Sequence, residues 1–251
     1  MNGRSIAAAA AMLVTGFFMP AANSAEINVL GSPAFRESYL ELVPQFEKAS
    51  GHKVVTRWAG TADIMKSVQA GDSADLVILS RSRLDELAAL GKIVPASRTD
   101  LAKSGVGVAV RTGAPRPDIS SGEALKRALL AAKSVGYSSG PSGDYVVALF
   151  QRLGIAEQIK GKLKKTPPGV AVGGLIANGE VEIGFQQVSE LLAVKGIDLV
   201  GPLSPDVQQI TVFSAGIQVT AKQPEAARQL VRFLTSPESV PVKKKHGMEP
   251  G

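Results

Sequence analysis

The chain contains no cysteine, and it is poor in histidine and in aromatic residues. Without cysteine it can form neither a disulfide nor a thiolate metal site. The two histidines, His52 and His246, are too far apart in sequence for the HExxH spacing of a zinc enzyme. Aromatic residues make up 5% of the chain, so surfaces on which nucleic-acid bases stack are scarce. The composition therefore favours neither a metalloenzyme nor a nucleic-acid-binding protein.

Positive charge is in mild excess and is not concentrated in one binding patch. The formal net charge is +6, and the basic residues are distributed along the chain. The densest group runs from Lys243 to His246, close to the C-terminus. A basic run this short is usually hydrated, so we predict that it forms a solvated tail.

A long apolar run occurs only at the N-terminus. Residues 6–19 are apolar or small, Arg4 is the only charge before them, and small residues follow up to Ala25. This pattern is typical of a secretory signal peptide, because the apolar segment is too short to span a bilayer comfortably. We predict a signal peptide over residues 1–25 and a mature protein in the periplasm.

Short apolar strands alternate with amphipathic helices along the rest of the chain. Residues 27–30 and 74–79, for example, have the length and character of strands, and each precedes a helical pattern. This repeated order predicts an α/β fold with mostly parallel sheets and helices on both faces. In the first helical pattern, Pro44 predicts a kink or break near Leu40, because proline removes a backbone hydrogen bond.

Glycine and serine form turns after four of the predicted strands. In open α/β sheets, ligands bind beyond the carboxyl ends of the strands, where loops lead into helices. Helix N-termini present unpaired N–H groups and the positive end of a dipole, which attract anions. The sequence therefore predicts a site for a small anion with no metal and no cofactor. The four turns are Gly31-Ser32, Gly60-Thr61, Ser138 to Ser142 and Pro168-Gly169.

The serines of these turns have an alternative role as ordinary helix caps. Two arginines near the turns are candidates either for binding a ligand or for ordinary solvated positions: Arg36 lies one turn into the first helix, and Arg81 directly follows a predicted strand, with Arg83 close by. A guanidinium at either position can hold a carboxylate through two parallel hydrogen bonds. Trp58, by contrast, is predicted to pack at a strand end.

Five short stretches are characteristic in sequence: residues 45–51, 69–76, 141–145, 233–238 and 247–250. Together, behind a signal peptide, they resemble the periplasmic molybdate-binding proteins of ABC importers, within the type II periplasmic binding proteins. The similarity covers essentially the whole mature chain. It implies two α/β lobes with a ligand cleft between them, which closes around the bound anion by a hinge motion.

The resemblance also implies where the chain crosses between the lobes. The first lobe takes residues 26–107 and returns for residues 212–251, and the second lobe takes residues 108–211. Val106 to Val110 and Thr211 to Ala215 match the crossing strands of the family. The serine-rich turn then forms the second-lobe half of the closing cleft.

Transferred by position, the ligand contacts of the family fall in the same turns. Ser142 matches well, and Gly169 supplies a backbone N–H. The usual hydroxyl of the first turn falls at or near Ala34, and the pocket tyrosine falls on Gln187. These two losses favour an organic acid over molybdate, whose oxygens each need a donor. The predicted ligand-binding residues are Ser32, Arg36, Thr61, Ser139, Ser142, Gly169 and Gln187.

Three functional hypotheses follow. The first is a monomeric periplasmic solute-binding protein that captures a small anion, either a molybdate-like oxyanion or a di- or tricarboxylate, for an ABC permease in the inner membrane. The second is an enzyme similar to aconitate isomerase, with Asp144, Tyr145 or Glu190 near the predicted cleft for proton transfer. The third is a sensor that presents its closed form to a membrane receptor. We expect binding rather than catalysis.

Overall fold

The computed structural model of the protein describes residues 24–251. Residues 1–23 of the predicted signal peptide lie outside this range. In the described part, none of the helices combines the length and the apolar character needed to cross a membrane. The strands are β1 (Glu26–Gly31), β2 (Lys53–Trp58), β3 (Leu76–Ser80), β4 (Thr99–Arg111), β5 (Val135–Tyr137), β6 (Leu163–Lys165), β7 (Ile183–Gln187), β8 (Ile197–Pro202), β9 (Ile210–Ile217) and β10 (Glu249–Pro250). The helices are α1 (Arg36–Ser50), α2 (Thr61–Ala70), α3 (Arg81–Ala89), α4 (Gly122–Ala131), α5 (Pro141–Arg152), α6 (Ala156–Ile159), α7 (Val172–Ala177), α8 (Val188–Leu191), α9 (Pro224–Leu234) and α10 (Val240–Lys245).

The strands form two sheets that share the long strand β4. In the first sheet, β1 lies in parallel between β2 and β3, and β9 runs antiparallel between β3 and the first half of β4. The short strand β10 also pairs with this half of β4. In the second sheet, the second half of β4 pairs with β7 and β8, and β5 lies in parallel between β7 and β6. Each sheet is the centre of one lobe.

The change of partners along β4 falls between two adjacent residues. Gly105 is opposite Ile210 of β9, whereas Val106 is opposite Gln187 of β7. The chain therefore passes from one lobe to the other inside a single strand, close to the crossing strand expected at Val106 to Val110. The lobe boundaries at residues 107 and 211 stay a prediction.

The predicted α/β fold with two lobes is confirmed, and the strand directions refine it. The pairings of β1 with β2 and β3, and of β5 with β6 and β7, are parallel. Every pairing made by β4 or β9 is antiparallel. The sheets are therefore mixed rather than mostly parallel, because the two crossing strands run against their neighbours.

Helices cover both faces of each sheet, as the alternation of elements predicts. All five residues of β3 are buried, which is typical of a strand enclosed on two sides. One face of the first sheet packs on α1 and α9, and the other on α2 and α3. The second sheet packs on α4 and α5 on one face, and on α7 and α8 on the other.

Of the kink or break expected near Leu40 because of Pro44, the break is wrong. Helix α1 runs without interruption from Arg36 to Ser50. Tyr39, Leu42 and Phe46 bury one face of it in the core of the first lobe. This packing outweighs the loss of one backbone hydrogen bond at the proline.

The basic C-terminal segment is not a solvated tail. Lys243 lies in α10 with 1% of its surface exposed, and burial lowers its pKa to about 8. The Nζ of Lys245 and the Nε2 of His246 are 2.8 and 2.9 Å from one carboxylate oxygen of Glu41 in α1. The prediction failed because the C-terminal part of the chain folds back onto the first lobe and places this run against α1. A local sequence pattern does not reveal such a contact.

Candidate ligand-binding site

The four predicted turns meet around one cavity between the lobes. Its volume is about 40 Å³, and each turn contributes at least one wall residue. Six of the predicted binding residues line the cavity, and Arg36 does not. Those six are Ser32, Thr61, Ser139, Ser142, Gly169 and Gln187, and the remaining wall includes Ala34, Gly60, Gln186, Glu190 and Phe213.

Ser32 and Thr61 supply hydroxyl groups from the first lobe. Ser32 follows β1, and its backbone N–H donates to the carbonyl of Ile78 in β3 at 3.0 Å, which fixes the turn at the strand ends. Its side chain makes no capping hydrogen bond to the 3-10 turn that follows, so capping does not explain this serine. Thr61 begins α2, whose first N–H groups have no acceptor inside the helix.

The serine-rich turn forms the second-lobe side of the cavity. The hydroxyl oxygens of Ser138 and Ser142 are 2.9 Å apart, and the cap residue of α5 is Gly140 rather than a serine. Gly143 allows this geometry, because a Cβ at that position would lie 1.6 Å from the carbonyl oxygen of Ser138. Helix α5 begins on the cavity wall at Pro141, which has no N–H, and the N–H groups of Gly143 and Asp144 donate to the carbonyl of Gly140, so the N–H of Ser142 is the donor that its first turn offers to the site.

Polar and apolar groups contribute about equally to the cavity wall, and no cationic side chain lines it among the described residues. Its donors are hydroxyl groups and backbone N–H groups, and the first turns of α2 and α5 add partial positive charge. Such a site stabilises a small anion through several hydrogen bonds rather than through one ion pair. This arrangement is the one that the turns predict.

The two lobes touch through the backbone beside the cavity. A Cβ on Gly60 would lie 2.5 Å from the backbone nitrogen of Gly169 and 2.8 Å from the carbonyl carbon of Pro168. Gly169 has a φ of 75°, in the left-handed region that favours glycine. The two backbones therefore approach each other closely beside the cavity, with the Cβ of Pro168 also in this contact.

A second inter-lobe contact is made by Ser189 in α8. Its hydroxyl donates to the carbonyl of Ala34 at 2.8 Å, and both residues are buried. This bond joins the start of α8 in the second lobe to the turn before α1 in the first lobe. Of its two residues, Ala34 also lines the cavity.

The amide of Gln187 is bound to the crossing strands rather than turned to a ligand. In the orientation that satisfies both ends of the amide, Nε2 donates to the carbonyls of Ser104 and Gly105 at 3.1 and 3.2 Å. Oε1 then accepts from the hydroxyl of Thr211 at 3.0 Å. Gln187 therefore lines the cavity while its polar group connects β7 to β4 and β9.

Glu190 supplies a carboxyl group to the cavity wall. Its Oε1 accepts from Nε2 of Gln186 at 2.7 Å. Desolvation raises the pKa of Glu190 to about 7, against the opposing hydrogen bonds from Gln186 and from the backbone of Gln187. Near neutral pH this carboxyl can therefore either donate or accept a proton at the site.

The other two groups considered for proton transfer lie elsewhere. Asp144 is mostly exposed, with its carboxylate 3.7 Å from the guanidinium of Arg83. The hydroxyl of Tyr145 donates to the carbonyl of Val207 at 2.6 Å. Neither residue lines the cavity, so Glu190 is the one of the three that the structure brings to the site.

Arg36 lines a larger cleft next to the cavity, which we call the vestibule. Its volume is about 360 Å³. Arg36 is half exposed there and forms an ion pair with Glu37 at 3.1 Å. The vestibule is lined by Arg36, Glu37 and Trp58 from the first lobe and by Ala171, Ala193 and Val194 from the second, and it shares Pro33, Gly169 and Glu190 with the cavity.

Arg81 does not face the cleft, and that expectation is wrong. Its guanidinium forms a two-point ion pair with the carboxylate of Asp100 in β4, where Nε donates at 3.1 Å. Asp100 also accepts a hydrogen bond from the hydroxyl of Ser214 at 2.6 Å. The arginine is therefore held at the first sheet, away from both the cavity and the vestibule.

The family model described as bacterial extracellular solute-binding protein matches residues 27–249. The chain belongs to this family. An aconitate isomerase of Pseudomonas sp. is 35% identical to it over 252 residues, covering 98% of this chain and 96% of the relative. The molybdate-binding protein ModA of Azotobacter vinelandii is 28% identical over 244 residues, covering 94% of each chain.

Solved structures agree with this family assignment. The periplasmic molybdate-binding protein of Azotobacter vinelandii matches with a TM-score of 0.73 at 17% identity, over 90% of this chain and 99% of that chain. At such low identity the match establishes the shared fold only. The resemblance stated from the sequence is thereby confirmed at the level of family and fold.

Sequence reasoning missed three features of this solute-binding protein. Gly60 and Ser189 make contacts between the lobes, and such contacts have no local sequence signal. The hinge contacts of Gln187 were also missed, because the resemblance placed this residue on a pocket tyrosine. A polar residue at the end of an apolar strand was the one available signal for it.

Proposed function

We propose that the chain is a periplasmic solute-binding protein that captures a small organic anion and delivers it to an ABC permease in the inner membrane. The observation that carries this proposal is the inter-lobe cavity, in which hydroxyl and N–H donors from four turns converge and which no cationic side chain of residues 24–251 lines. It acts as a monomer and without a cofactor. Its export depends on the signal peptide predicted over residues 1–25.

The size of the cavity supports a ligand with a small anionic group. About 10–15 Å³ of such volume holds one water molecule. The cavity of about 40 Å³ therefore accommodates roughly three waters, or one carboxylate or small oxyanion. The donors that surround it can satisfy the oxygens of such a group one by one.

The wall chemistry favours a carboxylate over molybdate. Ala34 offers no hydroxyl, and the amide of Gln187 is engaged by Ser104, Gly105 and Thr211. Two donors that the molybdate-binding resemblance implies are therefore missing. A carboxylate has two oxygens rather than four and needs fewer donors, so it fits the remaining set better.

A ligand screen tests the proposal. The mature chain is titrated with molybdate, tungstate, sulfate and a panel of mono-, di- and tricarboxylates, with thermal unfolding as the readout. A ligand at 100 times its dissociation constant adds about 2.7 kcal/mol to the free energy of unfolding. We expect such a stabilisation from a carboxylate. If no anion raises the unfolding temperature, the proposal is wrong.

The position of Glu190 favours a second candidate function, isomerisation of a tricarboxylate. The carboxylate of Glu190 would remove a proton from the methylene carbon of trans-aconitate. It would then return the proton to the carbon at the other end of the allylic system. The double bond moves, and no atom is gained or lost. The similarity to an aconitate isomerase supports this candidate, and the raised pKa of Glu190 suits a group that takes and returns a proton near neutral pH.

To test this second candidate, the protein is incubated with trans-aconitate, and the formation of cis-aconitate is measured by chromatography. We expect turnover by the wild type, loss of turnover in Glu190→Gln, and retention in Asp144→Asn, which removes an exposed carboxylate outside the cavity. Binding of a tricarboxylate without turnover by the wild type would leave the binding function and remove the isomerase.

A further inference from the structure

The cavity and the vestibule are adjacent spaces of unequal size. They share Pro33, Gly169 and Glu190 as wall residues. The cavity measures about 40 Å³ and the vestibule about 360 Å³. Both lobes contribute to each part, so a molecule that occupies both is enclosed by the same closure.

The vestibule differs from the cavity in holding a cation. Arg36 lies in the first turn of α1, and its partner there is the adjacent residue Glu37. The side chains are 49% and 31% exposed, and exposed ion pairs of this kind contribute little free energy. The guanidinium can therefore exchange Glu37 for a ligand carboxylate at small cost, and its fork geometry suits two hydrogen bonds.

Between the two polar ends, the vestibule has an apolar wall. Trp58 is held in place edge-on to Tyr39, with ring centroids 5.1 Å apart, and lies over Gly31. A Cβ on Gly31 would lie 2.6 Å from the indole ring, so glycine is required for this position of the tryptophan. Ala193 and Val194 line the vestibule from the second lobe. This wall suits a short carbon skeleton.

We propose that the ligand is an elongated polycarboxylate, with one carboxylate in the cavity and another in the vestibule on Arg36, and that Arg36 determines specificity for the second carboxylate. This inference rests on the proposed anion-binding function and adds the substrate class. An inorganic oxyanion or a monocarboxylate fills only the cavity. The apolar wall at Trp58 then contacts the carbon chain that joins the two ends.

Calorimetric titration with ligands of increasing length tests the inference. The probes are acetate, succinate and propane-1,2,3-tricarboxylate, and the variants are Arg36→Gln and Arg228→Gln. Arg228 is an exposed arginine in α9 whose partner is Glu225, so its variant controls for the loss of one positive charge. Thermal unfolding of both variants verifies that they fold as the wild type does.

We expect Arg36→Gln to weaken binding of the tricarboxylate about ten- to a hundredfold and to leave the affinity for acetate unchanged. Arg228→Gln should change neither affinity. Equal losses for all ligands, or no loss for any, would overturn the role of Arg36. If the wild type binds acetate or sulfate as tightly as it binds the longer acids, the claim that one ligand occupies both the cavity and the vestibule is wrong, and the proposed function remains intact. Absence of any anion binding would overturn both.

Discussion

Gly60 and Gly169 meet backbone to backbone across the cleft, with no room for a side chain on Gly60. Gly60 has φ −63° and ψ 154°, an extended conformation that alanine also adopts. Its missing Cβ is therefore required by the opposite lobe and not by the local turn. The closed state depends on this position.

Gly60→Ala is expected to fold normally but to close poorly. The methyl group would meet Pro168 and Gly169, and a steric cost of about 1.4 kcal/mol already lowers the closure constant tenfold. We expect ligand affinity to fall at least about tenfold, with a more open shape in small-angle scattering. The free energy of unfolding should change by no more than about 1 kcal/mol. Gly174→Ala in α7, with open space around it, is the matched control and should leave affinity unchanged.

Ser142→Ala is expected to remove a hydroxyl from the anion cavity. A hydrogen bond to a charged ligand is worth about 1.5–3 kcal/mol, so affinity for every anion should fall roughly ten- to a hundredfold. Ser50→Ala is the control, because that hydroxyl donates to the carbonyl of Phe46 at the end of α1, away from the cleft. If the two variants bind equally well in calorimetric titration, the hydroxyl of Ser142 has no role in binding.

Glu190 is expected to make stability depend on pH. Its pKa is raised from 4.5 to about 7 in the folded protein, so the folded state holds a proton that the unfolded state has released. The contribution of Glu190 is therefore fully present below pH 4.5 and declines as the pH rises to about 7. The loss is at most about 3 kcal/mol.

Denaturant unfolding at several pH values measures this effect. The free energy of unfolding of Glu190→Gln should depend less on pH between pH 5 and 8 than that of the wild type. At pH 8 the variant should be the more stable relative to the wild type. The same variant should remove the decline in anion affinity that a second negative charge in the cavity causes above pH 7. Parallel pH profiles for variant and wild type would show that Glu190 has an ordinary pKa.

Gln187→Ala distinguishes a hinge residue from a ligand contact. Its amide satisfies two buried carbonyl groups of β4 and the hydroxyl of Thr211, and unpaired buried polar groups cost about 1–3 kcal/mol each. We expect a loss of stability of that order in the ligand-free protein, measured by denaturant unfolding. A variant with unchanged stability and weaker binding would instead support the ligand contact that the family resemblance implies.

The sequence was a good guide where structure follows from neighbouring residues. Apolar strand segments and the glycine or serine after each of them place the four turns at strand ends, and the alternation of elements brings those ends to one cleft. The preference of serine for helix caps also applies at α4, which begins after Ser121, whose hydroxyl accepts from the N–H of Ala124 at 3.1 Å.

The sequence was a poor guide where a partner is distant along the chain. Arg81 is held by Asp100, and Lys243 is buried in α10, which packs against α1, and neither arrangement can be read from a local pattern. The first half of β4, from Thr99 to Gly105, was also missed because its polar residues interrupt the apolar run. Its strand conformation depends on pairing with β9, which is more than 100 residues away.

A crystal structure of the mature protein with propane-1,2,3-tricarboxylate tests the central claim most directly. We predict one carboxylate within hydrogen-bond distance of the hydroxyls of Ser32 and Ser142, of the first N–H groups of α2 and of the N–H of Ser142, with the lobes closed at Gly60 and Gly169. A ligand bound outside the inter-lobe cavity, or a cavity that holds only water at a saturating ligand concentration, would contradict the claim.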